Sequence, residues 1–260
     1  PPPPPPPPFF SPHKRPHEIL SGLVGSEMCI RDSVYIAIHN TTTNQYVMYV
    51  DNFIIDGLQA VIPDDNFEAY LEANGMGDGI PNNDSVSIAN IANVKKLDVS
   101  NQNIADLSGI SYFTELIILV CENNSLTSLD ITQNSNLEKL NCRYNQISNI
   151  DLSQNTALST LNLSDNNFGT INVSQNTALE QLSCEDNLLS TLDVSNNTSL
   201  KYFICGDNQL TNLNISANAA LTYLGCHANQ LTSLDVSNNA ALEVLSFGKN
   251  QLQLTFHQTF

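Results

Sequence analysis

The chain repeats itself every 21 residues, and that period constrains its fold more than any other feature. Cys121, Cys142, Cys184, Cys205 and Cys226 fall on the step, with Leu163 in the skipped slot and Phe247 in the last one. "LEKLNCRYNQI" (137–147), "LEQLSCEDNLL" (179–189), "LKYFICGDNQL" (200–210) and "LTYLGCHANQL" (221–231) share the pattern L-x-x-L-x-C-x-x-N-x-L. A unit this short cannot bury an apolar face alone. It must stack on copies of itself, so the period predicts a solenoid.

Within a unit, Leu140-x-Cys142 alternates, so both side chains point to one face of a short strand. Leu137 and Ile147 point inward from the flanking bends. Asn145 sits where the chain turns, and its amide can satisfy turn backbone groups that stacking would otherwise bury unpaired. Stacking therefore predicts an Asn ladder: Asn124, Asn145, Asn166, Asn187, Asn208, Asn229 and Asn250. The other half of each unit repeats as L-x-x-L-x-V-x-x-N, as in "LTSLDITQN" (126–134) and "LTSLDVSNN" (231–239), with a second ladder at Asn134, Asn155, Asn176, Asn197, Asn218 and Asn239. It carries no 3.6-residue period, so the convex side is expected to be extended or turn-like, without helices.

These motifs resemble the leucine-rich repeat family. The resemblance runs through about seven units from Leu116 to Leu252, with a looser first copy, "VKKLDVSNQNI" (94–104). It implies a β-rich leucine-rich repeat solenoid with two strand-like edges and a concave sheet face. A generic parallel β-helix is the structural alternative. Repeats are expected over 91–252 and an irregular, truncated end over 253–260.

The evenly spaced cysteines invite a metal or disulfide reading. Each, however, exchanges with Leu or Phe in an inward column, and a buried free Cys behaves as a small hydrophobe. No C-x-x-C pair exists for zinc. The cysteines are expected to be buried, stacked and unpaired. The column Asp130, Asp151, Asp193 and Asp235, with Asn172 and Asn214 in the same slot, lacks the glycine-aspartate repeat of calcium rolls and reads as a solvated polar face. His39, His227 and His257 are isolated along the chain, and no nucleophile, paired carboxylate or phosphate loop stands out. No enzyme activity, metal or cofactor is expected.

The outward strand positions form three columns. The first includes Lys139, Gln181, Tyr202 and Tyr223; the second Val120, Asn141, Ile204 and Gly225; the third Glu122, Arg143, Glu185 and His227. Exposed aromatics on a concave face are where solenoids bind. The expected ligand site comprises Tyr202, Tyr223, Ile204 and His227, with Lys139 and Arg143 on the same face, and with room for a sugar ring or side chain beside Gly206 and Gly225.

Ahead of the repeats, "IPDDNFEAYLEANGMGDG" (62–79) predicts a short capping helix. Asp65 and Glu68 suggest a capping box, Phe67, Tyr70 and Leu71 an apolar face, and Gly75 a stop. Residues 57–90 are read as linker and cap. This stretch, with "LDVSNQNIADLSGI" (97–110), resembles the start of leucine-rich regions in secreted Bacteroidetes proteins. "VYIAIHNTTTNQYVMYVDNFII" (34–55) resembles the last two strands of a cleaved-adhesin, or choice-of-anchor, jelly roll. That resemblance places a truncated domain over 34–56 and implies Asp51 as a structural calcium ligand in the complete domain. Residues 1–33 read differently: "LVGSEMCIRDS" (23–33) resembles the translation of a sequencing adapter and follows eight prolines, so 1–33 is expected to be non-native and unpacked.

Charge narrows the partners. The net charge is −17, and the few charges of 1–33 cancel among themselves. Such a surface repels nucleic acid and anionic membrane. No apolar run reaches the ~18 residues of a membrane span. The expected function is non-catalytic binding of a protein or glycan by an extracellular or cell-surface monomer. The alternative is a structural spacer in a larger secreted protein, which could carry a catalytic domain elsewhere. The Bacteroidetes resemblance also implies further repeats and a C-terminal type IX secretion signal, neither of which lies within these 260 residues.

Overall fold

The computed structural model describes residues 27–30, 34–37 and 58–252. The chain divides into two compact units, Pro1–Ile54 and Ile55–Phe260. In the first, β1 (Glu27–Ile30) pairs antiparallel with β2 (Val34–Ala37), Ile30 opposite Val34. This hairpin spans the expected boundary at residue 33. The remainder of residues 1–33, "NTTTNQ", Asp51 and the end segment 253–260 lie outside the described residues.

The second unit is a leucine-rich repeat solenoid. Eight three-residue strands form one parallel sheet in strict sequence order: β5 (Lys96–Asp98), β6 (Ile118–Val120), β7 (Lys139–Asn141), β8 (Thr160–Asn162), β9 (Gln181–Ser183), β10 (Tyr202–Ile204), β11 (Tyr223–Gly225) and β12 (Val244–Ser246). Register advances by one repeat per strand, so Leu140 opposes Leu161 and Leu161 opposes Leu182. The sequence is extended here because its alternation buries one apolar residue per strand while its neighbours face out. The apolar columns fill the interior: Leu137, Leu140, Cys142 and Ile147 are all buried, as are their counterparts in the next coils.

The cysteine column packs as expected. All five thiols are buried and free, and Leu163 fills the skipped slot. Burial pushes Cys142 and Cys184 up to about 12 and Cys226 to about 11; Cys121 and Cys205 rise as well, again chiefly from burial. Phe247, in the last described coil, is 38% exposed.

Both Asn columns are internal, and they work differently. Asn145 Nδ2 donates to the Cys142 and Arg143 carbonyls of its own coil and to Cys121 of the preceding one, while its Oδ1 accepts the Leu126 amide. Asn124, Asn166, Asn187, Asn208, Asn229 and Asn250 repeat this pattern with small variations. In the second column Asn155 Nδ2 donates to Ile131 and Asn134, but its Oδ1 is buried without a partner, as it is in Asn134, Asn176, Asn197, Asn218 and Asn239. The second edge is less regular than the expected pair of strand-like edges. Its L-x-x-L-x-V segments run without a ladder, so of the two described edges of the repeats only the Leu-x-Cys edge is a hydrogen-bonded sheet.

A helix caps the first coil. It is α1 (Asp65–Ala73), burying Phe67 and Leu71, with Phe67 stacked on Phe113 at 6.3 Å. The expected capping box is displaced by one residue. Asp64 is the N-cap, its Oδ1 accepting the Asn66 and Phe67 amides. Asp64 Oδ2 also accepts the Ala105 and Asp106 amides of the first repeat, so the cap ties helix to solenoid. That second duty favours Asp64 over Asp65. Glu68 cannot reach back to an N-cap at 64; instead its buried carboxylate accepts the Asn83 and Asp84 amides. The helix ends at Asn74, with Gly75 following at φ +72. A small ladder of β3 (Gln59–Val61) against β4 (Ser85–Ser87) and a one-turn helix α2 (Ile88–Ile91) complete the cap. A 3₁₀ turn at Ile110–Tyr112 is the other helical piece in the described repeats.

Candidate functional site

The outer sheet face carries the expected aromatic pair. Tyr202 and Tyr223 stand opposite each other in register on β10 and β11. Their neighbours Phe203 and Leu224 point inward and are buried, which forces the tyrosines outward. The rings stack with centroids 4.4 Å apart and an interplanar angle of 21°. Tyr202 remains 39% exposed. Partial burial, then the neighbouring Tyr223 and Glu185, hold its phenol above the ordinary value, so it is neutral and able to donate a hydrogen bond.

Ile204 lies beside this pair. A Cβ placed on Gly225 would sit 3.5 Å from both Ile204 Cγ2 and Tyr223 Cε1. These are ordinary van der Waals distances, so both side chains flank the glycine without requiring it. The room expected beside the two glycines is largely taken: at Gly206 by the imidazole of His227, and at Gly225 by Ile204 and Tyr223. This part of the sheet face is therefore an open platform.

His227 is isolated in sequence and crowded in space. Its Nε2 lies 3.2 Å from Glu185 Oε1 and 3.1 Å from Asp207 Oδ2. Stacked coils bring together residues separated by about one and two repeat lengths, which no linear motif shows. No sequence motif marks Asp207. It belongs to a column of left-handed residues, with Asn123, Tyr144, Asp165, Asp186, Ala228 and Lys249, each at positive φ just after a strand. The Asp and Asn in that column were the available signal, because those residues tolerate this conformation best. The column persists even at Tyr144 because inter-coil bonds hold the turn, as from the Tyr144 amide to the Ser164 carbonyl.

Lys139 and Arg143 share the face but not the cluster. Lys139 occupies the Tyr202 column three strands away, across Thr160 and Gln181, or roughly 14 Å at sheet spacing. Arg143 Nε donates to Asp165 Oδ2 at 2.7 Å, and its guanidinium stacks 4.3 Å from the Tyr144 ring centroid. It thus forms a second, separate feature of the face.

The Asp column has a local duty. Oδ1 of Asp130, Asp151, Asp193 and Asp235 accepts the amide two residues on, and Asn172 and Asn214 do the same in their coils. Hydrogen bonds from Thr132 and from Ser153, Ser195 and Ser237 lower these carboxyls below their usual range. The turn requires an acceptor, and charge is incidental to it.

No protein-family model matches the chain. It is 38% identical over 73 residues to Internalin J of Listeria monocytogenes, a match covering 28% of this chain and 8% of that protein. A functional domain of InlJ from the same species, which includes a cysteine ladder, superposes with a TM-score of 0.62 at 31% identity, over 77% of this chain and 50% of that one. A leucine-rich repeat protein of Leptospira interrogans gives 0.61 at 26%, covering 64% of this chain and 46% of that one. Internalin C2 of Listeria gives 0.62 at 21%, over 74% and 87% of the two chains, and shows the shared fold. The chain thus spans half the length of the InlJ domain it matches. Among the described residues no helix is long and apolar enough to cross a membrane.

Proposed function

We propose that this chain is a non-catalytic binding module that recognises a protein or glycan at or outside a bacterial cell surface. The observation carrying this reading is the stacked pair Tyr202–Tyr223, exposed on the outer sheet face. Two stacked phenols present an apolar surface with polar edges, suited to the face of a sugar ring or an apolar side chain. Ile204 extends the apolar area, and His227, Glu185 and Asp207 line one flank with polar atoms. Likeness to the InlJ domain supports the bacterial surface setting. The resemblances quoted from the sequence carry the finer reading: a monomeric segment of a Bacteroidetes-type protein exported by type IX secretion, downstream of a jelly-roll domain, with residues 1–33 foreign to it.

Removing a central aromatic anchor costs at least ~2 kcal/mol of binding in well-formed interfaces. The double change Tyr202→Ala and Tyr223→Ala should therefore reduce retention on a glycan or surface-protein array more than tenfold, with the melting temperature nearly unchanged. Equal retention by both proteins would favour the spacer reading.

A further inference from the structure

We infer that Glu185, Asp207 and His227 form a binding site for one divalent transition-metal ion, of which zinc is the representative. The three side chains come from three successive coils. Each offers one ligand atom, and these atoms lie within 4.8 Å of one another; among the described residues this is the one such group of His, Cys, Asp and Glu.

The geometry is that of a shared centre more than of a simple ion pair. His227 Nε2 faces two carboxylate oxygens at nearly equal distance, 3.2 and 3.1 Å, and those oxygens belong to different coils. A single N–H aims well at one acceptor only. A cation between the three would contact all of them with small side-chain rotations. Nδ1 is buried without a partner and would carry a proton in either a metal-bound or a doubly protonated ring, so it favours neither state.

The pocket also has a cradle. His227 reaches across the intervening coil to Glu185 because residue 206 has no side chain: a Cβ there would meet the imidazole at 2.5 Å from Cε1 and 2.8 Å from both ring nitrogens. The corresponding position in other coils is occupied by Glu122, Arg143, Ser164, Glu185 and His227, and again by a glycine at Gly248, where a Cβ would meet nothing within 4 Å; the imidazole fills the space over Gly206 alone.

The donor set selects the ion. One imidazole nitrogen and two carboxylate oxygens suit zinc and its first-row neighbours, whereas calcium and magnesium favour all-oxygen sites with more ligands. Three protein ligands leave an open coordination position. The site is partly exposed, His227 and Glu185 at 31% and 29% of the side chain and Asp207 at 48%, so an ion can enter from solvent. The strongly acidic surface concentrates cations near it.

The test is zinc titration of the full chain by calorimetry, with Cys29→Ser as background so that a thiol outside the solenoid does not compete. Wild type should bind one equivalent that His227→Gln and Glu185→Gln each weaken by tenfold or more, with circular dichroism unchanged. Calcium and magnesium should not saturate that equivalent. The His227 imidazole resonances should shift on zinc addition. Unaltered zinc affinity in both folded variants, or no His227 shift in wild type, would overturn the proposal and leave His227 as a polar bridge between two carboxylates. The site draws no ligand from the neighbouring aromatic platform: Tyr202→Ala with Tyr223→Ala should keep the zinc equivalent.

Discussion

His227 fills the room that a side chain at residue 206 would need, its Cε1 lying 2.5 Å from where a Cβ on Gly206 would be. Two coils are thereby coupled through an absent side chain. Gly206→Ala should push the imidazole off Glu185 and Asp207. Because partly exposed pairs contribute little, the cost should stay below about 1 kcal/mol of stability. The His227 imidazole resonances should nevertheless move. An unshifted spectrum would mean that the ring does not rest on Gly206.

The two Asn ladders should differ in weight. Asn145→Ala orphans the buried Leu126 amide, while the Cys121 and Cys142 carbonyls keep the bonds donated by Asn124 and Asn166. An orphaned buried group costs about 1–3 kcal/mol, and the loss should fall in that range. Asn155→Ala removes donors to two carbonyls and also eliminates an oxygen already buried without a partner, so it should cost less. Urea unfolding of the two variants compares them. A costlier Asn155→Ala would refute the ranking.

Acid sensitivity should reside partly in the turn carboxylates. Asp151, Asp193 and Asp235 have folded-state pKa values below the usual one, chiefly from the backbone amides of Ser153, Ser195 and Ser237. A depressed carboxyl stabilises the fold above its unfolded value of about 3.9, and that contribution disappears as pH falls from there through the folded value. Replacing all three by Asn should hardly alter melting at pH 7, because Asn172 and Asn214 make the same bond in their coils. The triple variant should lose less stability than wild type between about pH 4 and pH 2. Parallel melting curves down that range would contradict the assignment.

The thiols give the opposite dependence. Cys142 and Cys184 are pushed up to about 12 by burial, against an ordinary value of 9.0. A raised thiol favours the folded state below its unfolded value, and the advantage is lost as pH climbs from about 9 towards 12. Stability should therefore decline across that alkaline window. At pH 8 the five ladder thiols should resist a thiol reagent in the native protein and all react in guanidinium without reductant. Two disulfides found under those denaturing conditions would overturn the free column.

The sequence by itself determined the solenoid, the inward columns, both Asn ladders and the outward direction of Tyr202 and Tyr223. These are consequences of one period and one alternation, and a periodic chain repeats its local solution in every coil. Tertiary structure alone decided which non-repeating residues meet. His227, Asp207 and Glu185 converge because stacked coils turn separations of one and two repeats into contact, and because Gly206 opens the path between them. The N-cap moved from Asp65 to Asp64 for a related reason. Either Asp satisfies a helix start locally, but the one whose second oxygen also reaches the amides of Ala105 and Asp106 carries the additional bonds.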